Sequence, residues 1–263
     1  MPFLSHGGIS LRYERAGTGL PLVFIHGLMG NHTFWDRQSA LRERFLVVRL
    51  DLRGHGDSSK PKGSYAIATL AEDVRHLVIA LGLQRAVLVG SSMGGVVAQH
   101  ALRVLGERVA GLALVGTTAS ALAAEGYEHG IKQEEQTAFV TSAQNDYKSF
   151  VRDLGSRLFM EGHSELLQWA MQQMTKTPPY VAVAALQGLF AADERKGLAS
   201  IEVPTLVCHG RHDAIFPFAT AEYLHEHIKG SRLVAFENSA HLPMIEEDDR
   251  FNSELAAFAG ALA

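Results

Sequence analysis

The sequence predicts an α/β fold: a mainly parallel, twisted sheet flanked by helices and interrupted by an inserted helical cap. Three observations carry this reading. Short continuous apolar runs recur along the chain, as in parallel strands covered on both faces. Segments with helical apolar spacing lie between them, and such alternation implies right-handed crossovers and parallel strands. From Thr117 to Glu202 the strand pattern stops and only helical patterns remain.

Each element follows from its local pattern. Ile9 to Arg15 alternates apolar and polar, as a half-buried strand does. Gly17-Thr18-Gly19 reads as a hairpin turn, and Leu22 to Ile25 as a covered strand. Phe45 to Leu50, Ala86 to Val89 and Leu112 to Val115 read the same way. Thr69 to Leu81 carries apolar residues at Leu70, Val74, Leu77, Val78 and Leu81, and Gly82 stops the helix. Met93 to Leu105 is a second helix. Gln133 to Val140, Tyr147 to Phe159, Glu165 to Met174 and Val181 to Phe190 are helical. This stretch of about 85 residues is too long for a plain connection. Alternation resumes with a strand at Pro204 to Cys208, a helix at Thr220 to Ile228, a strand at Arg232 to Phe236 and a closing helix at Arg250 to Leu262. The expected division is a core of residues 1–116 and 203–263 with a cap at 117–202.

Composition narrows the function. The 263 residues are 47% hydrophobic and 20% charged, which excludes wholesale disorder. Lys and Arg number 24 against 28 Asp and Glu, a net charge of −4, so nothing favours a nucleic-acid partner. Cys208 is the single cysteine, so no intrachain disulfide forms and no oxidising compartment is required. No apolar run reaches the roughly 18 residues of a membrane span. The N-terminus lacks the charged flank and apolar run of a signal peptide. The expectation is a cytoplasmic protein with no membrane association.

The strongest motif is Gly90-Ser91-Ser92-Met93-Gly94-Gly95. It follows an apolar run and precedes a helix-forming stretch. G-x-S-x-G between strand and helix sets the serine on a sharp, strained turn, and the small residues two before and two after let strand and helix approach. The spacing selects Ser92 over Ser91 as the candidate nucleophile. The Met93 N–H, at the helix start, then faces a developing oxyanion.

With this motif the chain resembles the α/β-hydrolase superfamily, and within it the small cap-bearing serine hydrolases: esterases, lactonases and enol-lactonases. The resemblance spans nearly the whole chain, with the insertion where the family places its lid. It implies a nucleophile, acid, histidine order. Asp213, in Gly210-Arg211-His212-Asp213, matches the family's G-x-x-D after a strand. His241 is the only histidine C-terminal to the last strand and stands as the base. His26-Gly27-Leu28 resembles the H-G-x motif, which makes the Leu28 N–H the second oxyanion donor and His26 a brace of the loop. The residue types imply acyl transfer without a cofactor or metal: neutral His241 takes the Ser92 proton, and Asp213 holds the imidazole tautomer.

The expected partner is a small, moderately apolar ester or lactone. Trp35, Phe139, Met160 and Trp169 are candidate substrate contacts, although core packing also accounts for such residues. The turn Asp51 to Ser58 reads as scaffold. His209-x-x-His212-Asp213 lacks the helical face and companion ligands of a metal site, and Gly17-Thr18-Gly19 lacks the third glycine of a dinucleotide loop. Three competing readings use the same scaffold. A carbon–carbon bond hydrolase of ring-cleavage products commonly carries Trp after the catalytic histidine, where Leu242 stands here. A haloperoxidase-like perhydrolase uses the same triad with peroxide. A small-ligand receptor has no need of an intact Ser92, Asp213 and His241.

Overall fold

A computed structural model describes residues 2–263. β1 (Phe3–His6) and β2 (Ile9–Ala16) form an antiparallel hairpin. Its turn, Gly7-Gly8, has φ of 54° and 80°, values glycine adopts without a Cβ clash. β3 (Pro21–Ile25) and β4 (Leu46–Leu50) are parallel neighbours, and every residue of β3 is buried. Between them a 3-10 stretch, His32–Glu43, starts at Asn31, whose side chain accepts from the Thr33 N–H at 2.9 Å.

Helix α1 (Ile67–Ala80) buries Leu70, Val74, Leu77 and Val78, the stripe expected from its spacing. β5 (Ala86–Ser91), α2 (Met93–Leu105) and β6 (Val109–Val115) follow. The next four helices are α3 (Gln133–Asn145), α4 (Tyr147–Gly155), α5 (Ser164–Met174) and α6 (Pro179–Phe190). β7 (Thr205–Gly210), α7 (Ala219–His227) and β8 (Arg232–Phe236) return to the sheet. A short helix α8 (Pro243–Glu246) and α9 (Asp248–Gly260) close the chain.

The eight strands lie in the order β1-β2-β4-β3-β5-β6-β7-β8, and β3 to β8 are parallel. The chain moves outward from β3 to β4, then crosses back to β5 on the other side of β3. The sheet therefore changes winding direction between β3 and β5. In open α/β sheets that switch point is where the crevice for ligands forms, beyond the carboxyl ends of the strands.

The Gly17-Thr18-Gly19 hairpin is corrected by this topology. β2 pairs with β4, Tyr13 opposite Leu50, and not with β3. Gly17, at φ 86°, tucks beneath the carbonyls of Phe45 and Arg42, where a Cβ would collide. The turn passes under the start of β4 because β3 belongs one position further into the parallel set. Among the described residues no helix is long and apolar enough to cross a membrane.

Candidate active site

β5 runs into α2 with Ser92 alone between them. Ser92 has φ 54° and ψ −125°, a backbone conformation that costs a non-glycine residue about 1–3 kcal/mol. The surroundings hold it there. The Ser92 N–H donates to the Val115 carbonyl at 2.9 Å, and Thr117 Oγ1 donates to the Ser92 carbonyl at 2.7 Å. A Cβ on Gly90 would meet the Gly94 carbonyl, and one on Gly94 would meet the carbonyl of Ile25. The close approach of strand, helix and β3 thus depends on those two glycines.

The loop after β3 lies against this elbow. A Cβ built on Gly27 would stand 2.9 Å from Ser92 Cβ and 3.5 Å from its Oγ. The Leu52 N–H donates to His26 Nε2 at 3.0 Å, which leaves Nδ1 to donate to the Gly27 carbonyl at 2.8 Å. Burial lowers the His26 pKa to about 4, so the ring is a neutral brace at pH 7. Among the described residues the N–H groups of Leu28 and Met93 have no protein acceptor. Met93 opens α2, where the helix leaves its first amides free.

Asp213 lies just beyond β7. Its Oδ1 accepts from the N–H groups of Ile215 at 2.8 Å and Phe216 at 2.9 Å. Its Oδ2 lies 2.8 Å from His241 Nδ1 and 3.1 Å from His209 Nε2. Burial raises the Asp213 pKa. The positive potential of His241 and the hydrogen bonds from His209 and His241 outweigh it and hold the carboxyl well below the usual range. An ionised Asp213 accepts the Nδ1 proton of His241 and leaves Nε2 as the basic nitrogen.

Ser92, Asp213 and His241 line one cavity of about 250 Å³, joined by His26, Gly27 and Leu28. Among the described residues no hydrogen bond joins the Ser92 hydroxyl to the imidazole; such contacts are often long until substrate tightens them.

The family model described as the alpha/beta hydrolase fold matches residues 21–248. The chain belongs to the α/β-hydrolase family. It is 36% identical to the AB hydrolase superfamily protein YisY of Bacillus subtilis, over 96% of each chain. It is 31% identical to the pimeloyl-[acyl-carrier protein] methyl ester esterase of Nitrosomonas europaea, over 93% of this chain and 97% of that one. A solved esterase from Exiguobacterium antarcticum superposes with a TM-score of 0.93 at 30% identity, covering 97% of this chain and 98% of the other. The protein is a hydrolase.

The cavity of this α/β hydrolase is mostly apolar. Phe34, Phe139, Phe150, Leu186, Leu189 and Phe216 are among its walls. Phe139 was legible as a candidate contact. Trp35, Met160 and Trp169 are not among the lining residues. Trp35 is fully buried, with ring centroids 5.1 Å from Phe24 and 6.3 Å from Phe251. Trp169 packs against Phe34, with ring centroids 4.8 Å apart. Met160 is held through its backbone N–H, which donates to Glu246 Oε1 at 2.8 Å.

Two neighbours of the triad carry little signal in the sequence. His209 reads there only as a weak metal-ligand candidate, yet it sits fully buried beside Asp213. Glu246 carried one faint signal, the Pro243 that opens a short helix directly after His241. The α6 residues Leu186, Leu189 and Phe190 read only as helix core, because a pocket wall and a core face share the same spacing.

Proposed function

We propose that the protein cleaves carboxylic esters, lactones included, of small apolar acyl substrates through an acyl-enzyme on Ser92. The observation that carries this reading is the union of a strained Ser92 elbow and a His241–Asp213 pair on one apolar cavity. His241 Nε2 takes the Ser92 proton as Oγ attacks the carbonyl carbon. The oxygen that gains charge is received by the N–H groups of Leu28 and Met93. The imidazolium, stabilised by Asp213, returns its proton to the leaving alkoxide. Water then attacks the acyl-enzyme with His241 as base, and Ser92 is regenerated.

Esters are favoured by the named activities of an esterase and a methyl ester esterase among similar proteins. A lactone is a cyclic ester and asks for the same acyl transfer. The apolar lining favours an uncharged acyl chain or ring. In this reading residues 117–202 act as a cap that supplies most of that lining.

A panel of short and medium acyl esters and lactones tests the proposal, with a fluorophosphonate probe as control. Ser92→Ala is expected to remove both turnover and labelling while leaving much of the ligand binding. Full activity in that variant would overturn the reading. Saturable binding with no turnover of any ester by the unaltered protein would favour a receptor.

A further inference from the structure

The His241 loop is fastened to the insertion through one carboxylate. Glu246 lies at the end of α8, directly after the loop that carries His241. Its Oε2 accepts the N–H of Ala240 at 2.9 Å, one residue before the imidazole. Its Oε1 accepts the N–H of Met160 at 2.8 Å, in the turn after α4. The same turn meets the loop a second time, since the His241 N–H donates to the Leu158 carbonyl at 3.2 Å. Leu158 and Leu242 both line the cavity.

We propose that Glu246 is a positioning residue that makes the placement of His241 depend on the docking of the Leu158–Met160 turn. The proposal rests on the assignment of His241 as base. A carboxylate has two oxygens, and here each is given to a backbone amide from a different part of the chain. With either bond lost, only the His241 N–H to Leu158 carbonyl bond would still tie the turn directly to the loop, and the imidazole could drift from the line between Asp213 and Ser92. The seating of one cavity wall and the aiming of the base thereby become a single event. The exposed His129, Glu135 and Arg157 line the same cavity away from that link.

The test compares Glu246→Gln and Glu246→Ala with the unaltered protein. Gln keeps the shape and one acceptor oxygen but turns an amide toward the other N–H; Ala removes both acceptors. With an ester substrate, kcat is expected to fall about 10-fold in Glu246→Gln and about 100-fold in Glu246→Ala, because a displacement near 1 Å costs that much at a reacting centre. KM should stay within about twofold, since the groups that line the cavity are retained. Hydrogen exchange should speed up together in residues 156–160 and 238–242. A carboxylate that only supported the fold would lower the melting temperature and leave kcat unchanged in the folded variant. That outcome overturns the proposal, as does faster exchange in one segment alone. If Glu246→Ala does not fold, Glu246→Gln decides. Loss of the serine mechanism would show instead as full activity in Ser92→Ala, whatever Glu246 does.

Discussion

His241 Nδ1 and Asp213 Oδ2 stand 2.8 Å apart in a setting where the imidazole is 2% exposed and the carboxylate 0%. Asp213 also receives two backbone amides on its other oxygen. A carboxylate held on both oxygens has little freedom to turn, so it fixes the ring plane of the histidine as well as its tautomer.

Asp213→Asn should therefore keep the fold and lose the chemistry. An amide can donate toward Nδ1, which moves the ring proton to Nε2 and removes the base. A loss of about 10⁴ in kcat is expected, the scale of the corresponding change in serine proteases. In the unaltered protein Asp213 stays ionised through mild acid, because its pKa is held low. The acid limb of kcat/KM should then carry no proton uptake by Asp213 and have unit slope. Steady-state kinetics across pH measures both, and a slope of two would assign a second proton to the pair.

Stability should also fall in acid, through two buried histidines of the scaffold. Burial lowers the pKa of His26 to about 4 and that of His55 to about 3, from an ordinary 6.5. Below 6.5 the unfolded chain binds protons on these rings that the folded chain does not. The unfolded state then holds more protons, so stability rises with pH and is lost as pH falls from 6.5 toward 4. At 1.36 kcal/mol per unit, His26 alone accounts for about 3 kcal/mol by pH 4. Urea unfolding at a series of pH values checks this, and His55→Asn should flatten the dependence. An unchanged midpoint between pH 7 and 5 would contradict it.

Two aromatic residues separate core from cavity. Trp35→Ala should cost about 3–5 kcal/mol of stability, as large-to-small core changes do, with the ester preference unchanged. Phe139→Ala should shift preference toward longer acyl chains at small cost, since Phe139 faces the cavity from α3 and is only partly buried. Thermal melts and kcat/KM over a chain-length series read both effects. A changed chain-length optimum in Trp35→Ala would place that ring near substrate after all.

The sequence disclosed most where structure is local. Covered strands such as Leu22–Ile25 show as apolar runs because both faces are buried, and α1 and α2 show through spacing and stop residues. The Ser92 elbow was legible because its geometry demands Gly90 and Gly94 in fixed places. Asp213 and His241 stand out as candidates only through a family template, since nothing local marks a residue whose partner lies 28 positions away. The pairing of β2 with β4 was hidden for the same reason: it is decided by sheet winding, which no short window contains. The cavity wall was least legible. A large apolar side chain reads the same whether it meets other side chains, as Trp35 does, or an open space, as Phe139 does.

The winding reversal between β3 and β5 has an evolutionary consequence. The proposed reacting groups hang from the sheet's rim, while about half of the residues lining the cavity come from a separate stretch of chain. Selection can reshape the latter and leave the former alone, so one scaffold can be refitted to new acyl groups by exchanging side chains on α3 to α6. The turn at Leu158–Met160 is the exception, a stitch between the two parts, and it is there that drift in the wall should be least tolerated.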